Sequence, residues 1–337
     1  MKITFVGPLV SRFVRNDVEI LSRKYELDTI DAVVGRGFRA IFNLVSLQTR
    51  IVLSLLSSKA VYFWFADYYT LLPTLIAKML GKKVFVVAGG FDVWYMPELN
   101  LGARTRPVRW FSVKRTFKLA THIFPVSYYA LKLLSEGVPR HAPATVIYNT
   151  VDTSLFKWQG DAKSIEVLTV TQVDTDLEYK RKGIDLFIEC ARRLPDVNFR
   201  IVGIRGDALR IAELESSSLS NVRILPAPVT SEALLESYRT ASVYCQLSID
   251  ETFGVAVIEA MSSGCIPVVS QAPALQEVVG NVGHIVSRDS LETVVDAIRT
   301  GIGAEDSERF KCRERAMIFD FDRRAEQLLA QLTKLGL

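Results

Sequence analysis

Two carboxylates flank the start of a short helix in the segment ETFGVAVIEAMSSG, residues 251–264: Glu251 stands just before it and Glu259 inside it. The run VYCQL at 243–247 reads as a buried strand and 248–253 as a polar turn. From Gly254 the apolar spacing of Val255, Ile258 and Met261 is helical. Gly264 stops the helix, and IPVVS at 266–270 reads as the next buried strand. The segment is therefore a β-loop-α-β unit of a parallel sheet, whose ligands sit at strand carboxyl ends. The amides of Phe253, Gly254, Val255 and Ala256 lack helical partners and carry the positive end of the helix dipole, so they are a seat for a diphosphate. Glu259 lies about 7.5 Å along the axis from Gly254 at about 1.5 Å per residue. A carboxylate accepts hydrogen bonds from vicinal hydroxyls, so Glu259 suits a ribose and Glu251 a hexose. The plain alternative is a solvated loop acid at 251 and a helix-surface acid at 259.

These groups need rigid elements to hold them, and strand and helix patterns alternate along the whole chain. In the first half strands are expected at 2–6, 60–65, 83–88, 122–126 and 145–148, with helices at 16–25, 69–80 and 128–136. After the polar stretch 149–160 the alternation restarts with VLTV, a helix from Ile184, NFRIVG, VRIL, VYCQL and IPVVS. The economical architecture is α/β, with two Rossmann-like, doubly wound parallel-sheet domains. The basic run Lys180, Arg181, Lys182 falls before Gly183, at the entrance to the amphipathic Ile184 helix. Lys180 and Arg181 are expected there as solvated residues.

With 337 residues, 49% of them hydrophobic and 23% charged, the chain can bury about two cores. Cys190, Cys245, Cys265 and Cys312 are far apart and mostly in apolar runs, which argues against a disulfide framework or a thiolate metal site. His122, His141 and His284 occur singly, so no metal site is expected. The segment MKITFVGP reads as a first strand rather than an export signal. The apolar stretch 40–66 is broken by Arg50 and Lys59, short of a spanning helix. These features predict a cytoplasmic protein, soluble or peripheral on the inner face of the membrane.

Charge is uneven. Residues 1–150 hold 20 Lys and Arg against 9 Asp and Glu, and residues 151–337 hold 21 against 28. The segment RTRPVRWFSVKRTFKLA, 104–120, combines Arg104, Arg106, Arg109, Lys114, Arg115 and Lys118 with Trp110, Phe111 and Phe117. Such a mixture fits an anionic membrane surface. It equally fits an amphipathic helix with its aromatic residues packed on a sheet. Nucleic acid is not expected as a partner, because no reading motif accompanies the charge.

The acid pair seven residues apart, followed by the small-residue helix and SSGCIPVV, resembles the signature of retaining glycosyltransferase family 4. KRKGIDLFIECARRLP at 180–195, FRIVG at 199–203, VIYNTVDTSLF at 146–156 and VVAGGFDVWYMPEL at 86–99 extend the likeness over most of the chain. The resemblance implies the GT-B fold, with two Rossmann-like domains facing a cleft: an acceptor-side domain of residues 1–150, joined by the last helices from about 307 to 337, and a nucleotide-sugar domain of residues 151–306. It carries Lys182 onto the role of a diphosphate ligand, where charge stabilises the departing nucleotide without a metal ion or other cofactor. Gln172 occupies the place nearest to an Arg that the family commonly has, and the loop around it looks longer. Gln can hydrogen-bond a phosphate but cannot offset its charge; Arg181 is a compensating candidate. Gly203 resembles the donor-side glycine loop. In the first domain the usual glycine pair is absent after the first strand, and the amides of 11–13 with Arg12 are phosphate candidates. In AGGFD, 88–92, Asp92 is a candidate for orienting an acceptor or donor hydroxyl, or else a turn acid.

The implied activity is retaining, metal-independent transfer of a hexose from a UDP or GDP sugar to a glycan or lipid-linked acceptor. A sugar-nucleotide epimerase or hydrolase of the same fold, or a non-catalytic nucleotide-sugar-binding subunit, would use the same fold.

Overall fold

Runs of Val, Ile and aromatic residues that alternate with amphipathic helices build two parallel sheets, each covered by helices. The computed structural model describes residues 1–35 and 39–337. Two units emerge, one of Met1–Thr150 with Phe321–Leu337 and the other of Val151–Asp320.

The first unit runs β1 (Lys2–Gly7), α1 (Arg12–Ser22), β2 (Glu26–Asp31), α2 (Arg39–Ser57), β3 (Ala60–Trp64), α3 (Leu71–Met79), β4 (Lys83–Ala88), α4 (Pro107–Leu119), β5 (His122–Pro125) and α5 (Tyr128–Gly137). Its sheet has the order β2-β1-β3-β4-β5, all parallel. β3 is buried along its whole length, as its uninterrupted apolar sequence AVYFW requires. β2, ELDTID, was not foreseen: as an edge strand it buries only Ile30 and carries no apolar run. The strand expected at 145–148 does not form. That segment runs beside β5, with Thr145 N donating to Ile123 O at 3.0 Å and Ile147 N to Pro125 O at 3.0 Å. Pro125 has no N–H to return the intervening rung, so the ladder stays incomplete.

The second unit runs β6 (Ser164–Val170), α6 (Asp176–Lys182), α7 (Ile184–Arg193), β7 (Asn198–Val202), α8 (Gly206–Ser216), β8 (Val222–Leu225), α9 (Ser231–Thr240), β9 (Ala241–Gln246), α10 (Val255–Ser262), β10 (Ile266–Ser270), α11 (Pro273–Val279), β11 (His284–Val286), α12 (Leu291–Ile302) and α13 (Asp306–Ala316). Its sheet order is β11-β10-β9-β6-β7-β8, again all parallel. The order in which strands are added reverses between β6 and β9, from β6-β7-β8 on one side to β9-β10-β11 on the other, which makes their carboxyl ends a topological switch point, the usual ligand crevice of an open α/β sheet. α13 packs on α10 within this unit, so the return to the first unit begins at Phe321, with α14 (Phe321–Lys334), rather than near residue 307.

Candidate functional site

The loops after β6 and β9 meet at that switch point, and the sequence explains how each is held. Thr175 opens α6: its Oγ1 accepts from Glu178 N at 3.3 Å. This is a capping-box arrangement, T-x-x-E. Asp176 and Glu178 lie in the first turn and Lys180, Arg181 and Lys182 in the last, matching the helix dipole. The basic run is therefore the last turn of a helix instead of a loop. Gly183 then turns the chain into α7 at φ +70°. A Cβ at Gly183 would lie 2.3 Å from Leu247 O, so the two loops approach this closely only because glycine stands there.

Glu251 is enclosed, 8% exposed, and three donors converge on its Oε1. These are Lys182 Nζ, Gln246 Nε2 at 3.0 Å and Ser248 Oγ at 2.8 Å. Burial pushes its pKa upward, but the Lys182 ammonium first, then Arg181 and the hydrogen bonds from Lys182 and Ser248, hold it below the ordinary value. The loop is tied down on both sides. Ile249 N donates to Arg181 O at 2.8 Å, Arg181 Nη1 to Asp250 O at 3.3 Å, and Ser270 Oγ, at the end of β10, to Ser248 O at 2.6 Å. Arg288 donates to Leu247 O and, at 3.4 Å, to Lys180 O. Arg181, expected in solvent, is thus a buried cation beside Glu251. Lys180 is exposed, as expected.

Gly254 caps α10, and its helix stops at Ser263 with Gly264 at φ +77°. Phe253 is buried, its ring 5.7 Å from Phe319. Glu259 is not a surface acid: it is buried on the second turn of α10, where Tyr238 Oη donates to Oε2 at 2.8 Å. Gly203 follows β7 at φ +91°, where a Cβ would come within 2.5 Å of Thr171 O. Gln172, in the loop after β6, is exposed. Lys182, Glu251, the Gly254 helix start and the Gly203 turn therefore all lie at carboxyl ends of neighbouring strands of one sheet.

In the first unit Arg12 opens α1, with its side chain exposed. Asp92 follows β4 and is fully buried, accepting from Gly90 N at 2.9 Å and from Gly89 N and Ala66 N at 3.3 Å. Burial raises its pKa to about 6, against the lowering effect of those amides. It fixes the glycine turn, as a turn acid does. His122 is buried, its Nε2 2.9 Å from Thr145 Oγ1. The four cysteines are buried and free.

Gln246, Ser248 and Arg288 are site residues that the sequence reading does not single out, whereas Arg181 enters it as a compensating candidate. For Gln246 and Ser248 a signal existed: two residues apart at a strand end, they share a face. Arg288 lies 41 residues from its partner Leu247, and nothing local announces it.

Residues 167–317, which lie within the second unit, match the family glycosyl transferases group 1. Phosphatidyl-myo-inositol mannosyltransferase of Mycobacterium tuberculosis is 31% identical over 129 residues, 36% of this chain and 34% of that protein. GDP-mannose:cellobiosyl-diphosphopolyprenol alpha-mannosyltransferase of Xanthomonas oryzae is 33% identical over 204 residues, 54% of this chain and 51% of that protein. The matches thus span about a third to a half of these relatives' own lengths. HepE of Anabaena, solved in complex with UDP, aligns over 99% of this chain and 100% of its own with a TM-score of 0.78 at 15% identity. The fold is that of GT-B glycosyltransferases.

Proposed function

We propose that the chain is a retaining, metal-independent hexosyltransferase that moves a sugar from a nucleoside-diphosphate donor to a hydroxyl of a glycan or lipid-linked acceptor, acting in the cytoplasm. The observation that carries this reading is the Lys182–Glu251 pair, held at the switch point beside the start of α10. A cation and a row of helix-start amides offer a diphosphate its countercharge. The enclosed, ionised Glu251 offers hexose hydroxyls an acceptor.

When a donor enters, Lys182 Nζ and the amides of Phe253, Gly254 and Val255 take up charge on the diphosphate. Glu251 positions the hexose, Glu259 the ribose, and Gln172 and Gly203 border the nucleotide. The bond from the anomeric carbon to phosphate oxygen breaks as the acceptor oxygen bonds to that carbon, and the acceptor proton passes to the leaving phosphate. Arg181, buried beside Glu251, supplies the positive potential that Gln172 lacks. Arg12 and Asp92 serve in the first unit, Asp92 by shaping the turn that an acceptor meets. Mannosyl transfer by both relatives, from GDP-mannose in the Xanthomonas enzyme, favours GDP-mannose as donor and a lipid-borne acceptor, whereas the UDP bound to HepE keeps uridine nucleotides in the comparison.

The test is calorimetric titration of GDP, UDP, GDP-mannose and UDP-glucose in EDTA, followed by transfer assays. Wild type is expected to bind one nucleotide family. Glu251→Ala and Lys182→Ala should stay folded and lose transfer by at least about a hundredfold, and Glu259→Ala should lose nucleotide affinity. Wild-type turnover in Glu251→Ala or Lys182→Ala would overturn the assignment. Donor binding without transfer to any acceptor would favour the non-catalytic subunit, and an altered free sugar nucleotide the epimerase.

A further inference from the structure

The first unit leaves an apolar helical face open on α2 and α3, which pack against each other. On α2, Phe42, Val45, Leu53 and Leu56 lie along one stripe at helical spacing, all exposed, with Phe42 at 73%. Leu75 and Met79 are exposed on α3, Met79 at 85%. Scattered exposed apolar residues are ordinary, but a stripe along one helix with further exposed apolar residues on the helix packed beside it marks a contact surface. Residues 39–82 contain Arg39, Arg50, Lys59, Lys78 and Lys82 against one acid, Asp67, and Arg109 pairs that acid at 2.9 Å. The face is therefore apolar with a basic border of exposed Arg39, Arg50, Lys59 and Lys78; Lys82 is engaged by the carbonyls of Leu55 and Leu56, and Asp28 of the neighbouring β2 meets α2 on its inner side, accepting from buried Ser54 at 2.7 Å.

We infer that this α2–α3 face docks on an anionic lipid bilayer, its apolar stripe entering the boundary of the acyl chains while the lysines and arginines meet headgroups. α2 has the length and apolar composition of a membrane span, at 19 residues. Its other side, however, carries Leu47, Ile51 and Leu55 into the core of the first unit. Crossing a bilayer would strip that packing, so the helix lies on the surface. A second copy is a poor occupant, because self-complementary pairing would set the same basic border against itself.

This moves lipid contact away from the centre of 104–118. There Arg109 turns inward to Asp67, Arg104 stacks 4.3 Å over Tyr95, and Phe117 belongs to the core. Only the outer side of α4, with Phe111 exposed and Arg115 5.3 Å over it, adjoins the face, through α3.

The test is flotation of the full chain with vesicles of phosphatidylcholine alone and of phosphatidylcholine with phosphatidylglycerol, without nucleotide, so that the outcome is independent of the transferase reading. Wild type is expected on the anionic vesicles only, less so at high salt. Phe42→Ser with Leu53→Ser should reduce binding about tenfold or more with an unchanged unfolding midpoint, and Lys78→Glu should reduce it with a shallower salt dependence. Arg115→Glu should cost less than the α2 pair. The inference is overturned if wild type binds neither vesicle, if the α2 variant binds as wild type does, if Arg115→Glu alone abolishes binding, or if wild type is a dimer that the α2 variant dissociates.

Discussion

Asp92 and Glu251 are both enclosed carboxylates, yet their surroundings send them in opposite directions. Glu251 has Lys182 and Arg181 as neighbouring cations, which outweigh its desolvation. Its contribution to stability is present above the ordinary carboxylate range and is lost as pH falls through its lowered folded value. Asp92 has only backbone amides to favour its charge, so burial wins and its pKa rises to about 6. Between the unfolded value of about 3.9 and that folded value, the native state binds the extra proton. Stability from this group is therefore greatest at low pH and declines as pH rises toward 6. Asp92→Asn should remove that slope: the difference in urea midpoint between wild type and variant should change steadily from pH 4 to pH 6 and level off above it. Parallel profiles would show that Asp92 titrates as an ordinary acid. The turn role of Asp92 was half legible, since two glycines and an acid after a strand suggest a tight loop. Its complete burial was not, because that depends on Ala66, 26 residues away.

The joint between α6 and α7 shows what a single backbone position does for an element. Gly183 adopts a left-handed conformation and sits against Leu247 O, so any side chain must push the β9 loop away from α6. Gly183→Ala should lower stability by about 1–3 kcal/mol and weaken donor binding, because Lys182 and Glu251 would no longer be held together. Chemical unfolding and calorimetry measure the two effects; unchanged values in both would mean that the loop has room to move. α6 itself was legible in hindsight: T-x-x-E followed by a basic last turn is a helix signature, hidden because three consecutive basic residues look like a solvated loop. β2 and residues 145–148 mark the opposite limit. A polar edge strand pairs through backbone that carries no apolar signature, and an apolar segment fails as a strand because of a proline on its neighbour.

At the scale of the whole molecule, the chain closes by returning α14 to the first unit. Arg324 is 2% exposed and its guanidinium grips Asp17, with Nε to Oδ1 at 2.6 Å and Nη2 to Oδ2 at 2.7 Å. Nη1 donates to Ile147 O at 3.0 Å and Tyr148 O at 2.6 Å. Tyr62 Oη and Trp64 Nε1 also donate to Asp17 Oδ2, at 2.8 and 2.7 Å. Removing the cation leaves a buried carboxylate with two neutral donors. Arg324→Met should therefore cost about 3–5 kcal/mol, read from equilibrium unfolding, and Asp17→Asn in the same chain should recover part of it. A loss below about 1 kcal/mol would mean that α14 is held by its apolar contacts alone.

The sequence by itself determined the alternating α/β plan, the strand–loop–helix around Glu251 and Glu259, and the stop at Gly264, because these rest on short-range periodicity and on backbone conformations that glycine alone adopts readily. It also carried the basic excess of the first 150 residues. Only the tertiary structure decided that Lys182 meets Glu251 across 69 residues of chain, that Arg181 is buried rather than solvated, that α13 stays in the second unit, and that the apolar stripe of α2 faces outward. Each depends on which surfaces pack against each other, and a contact between distant segments leaves no mark on either segment's local pattern.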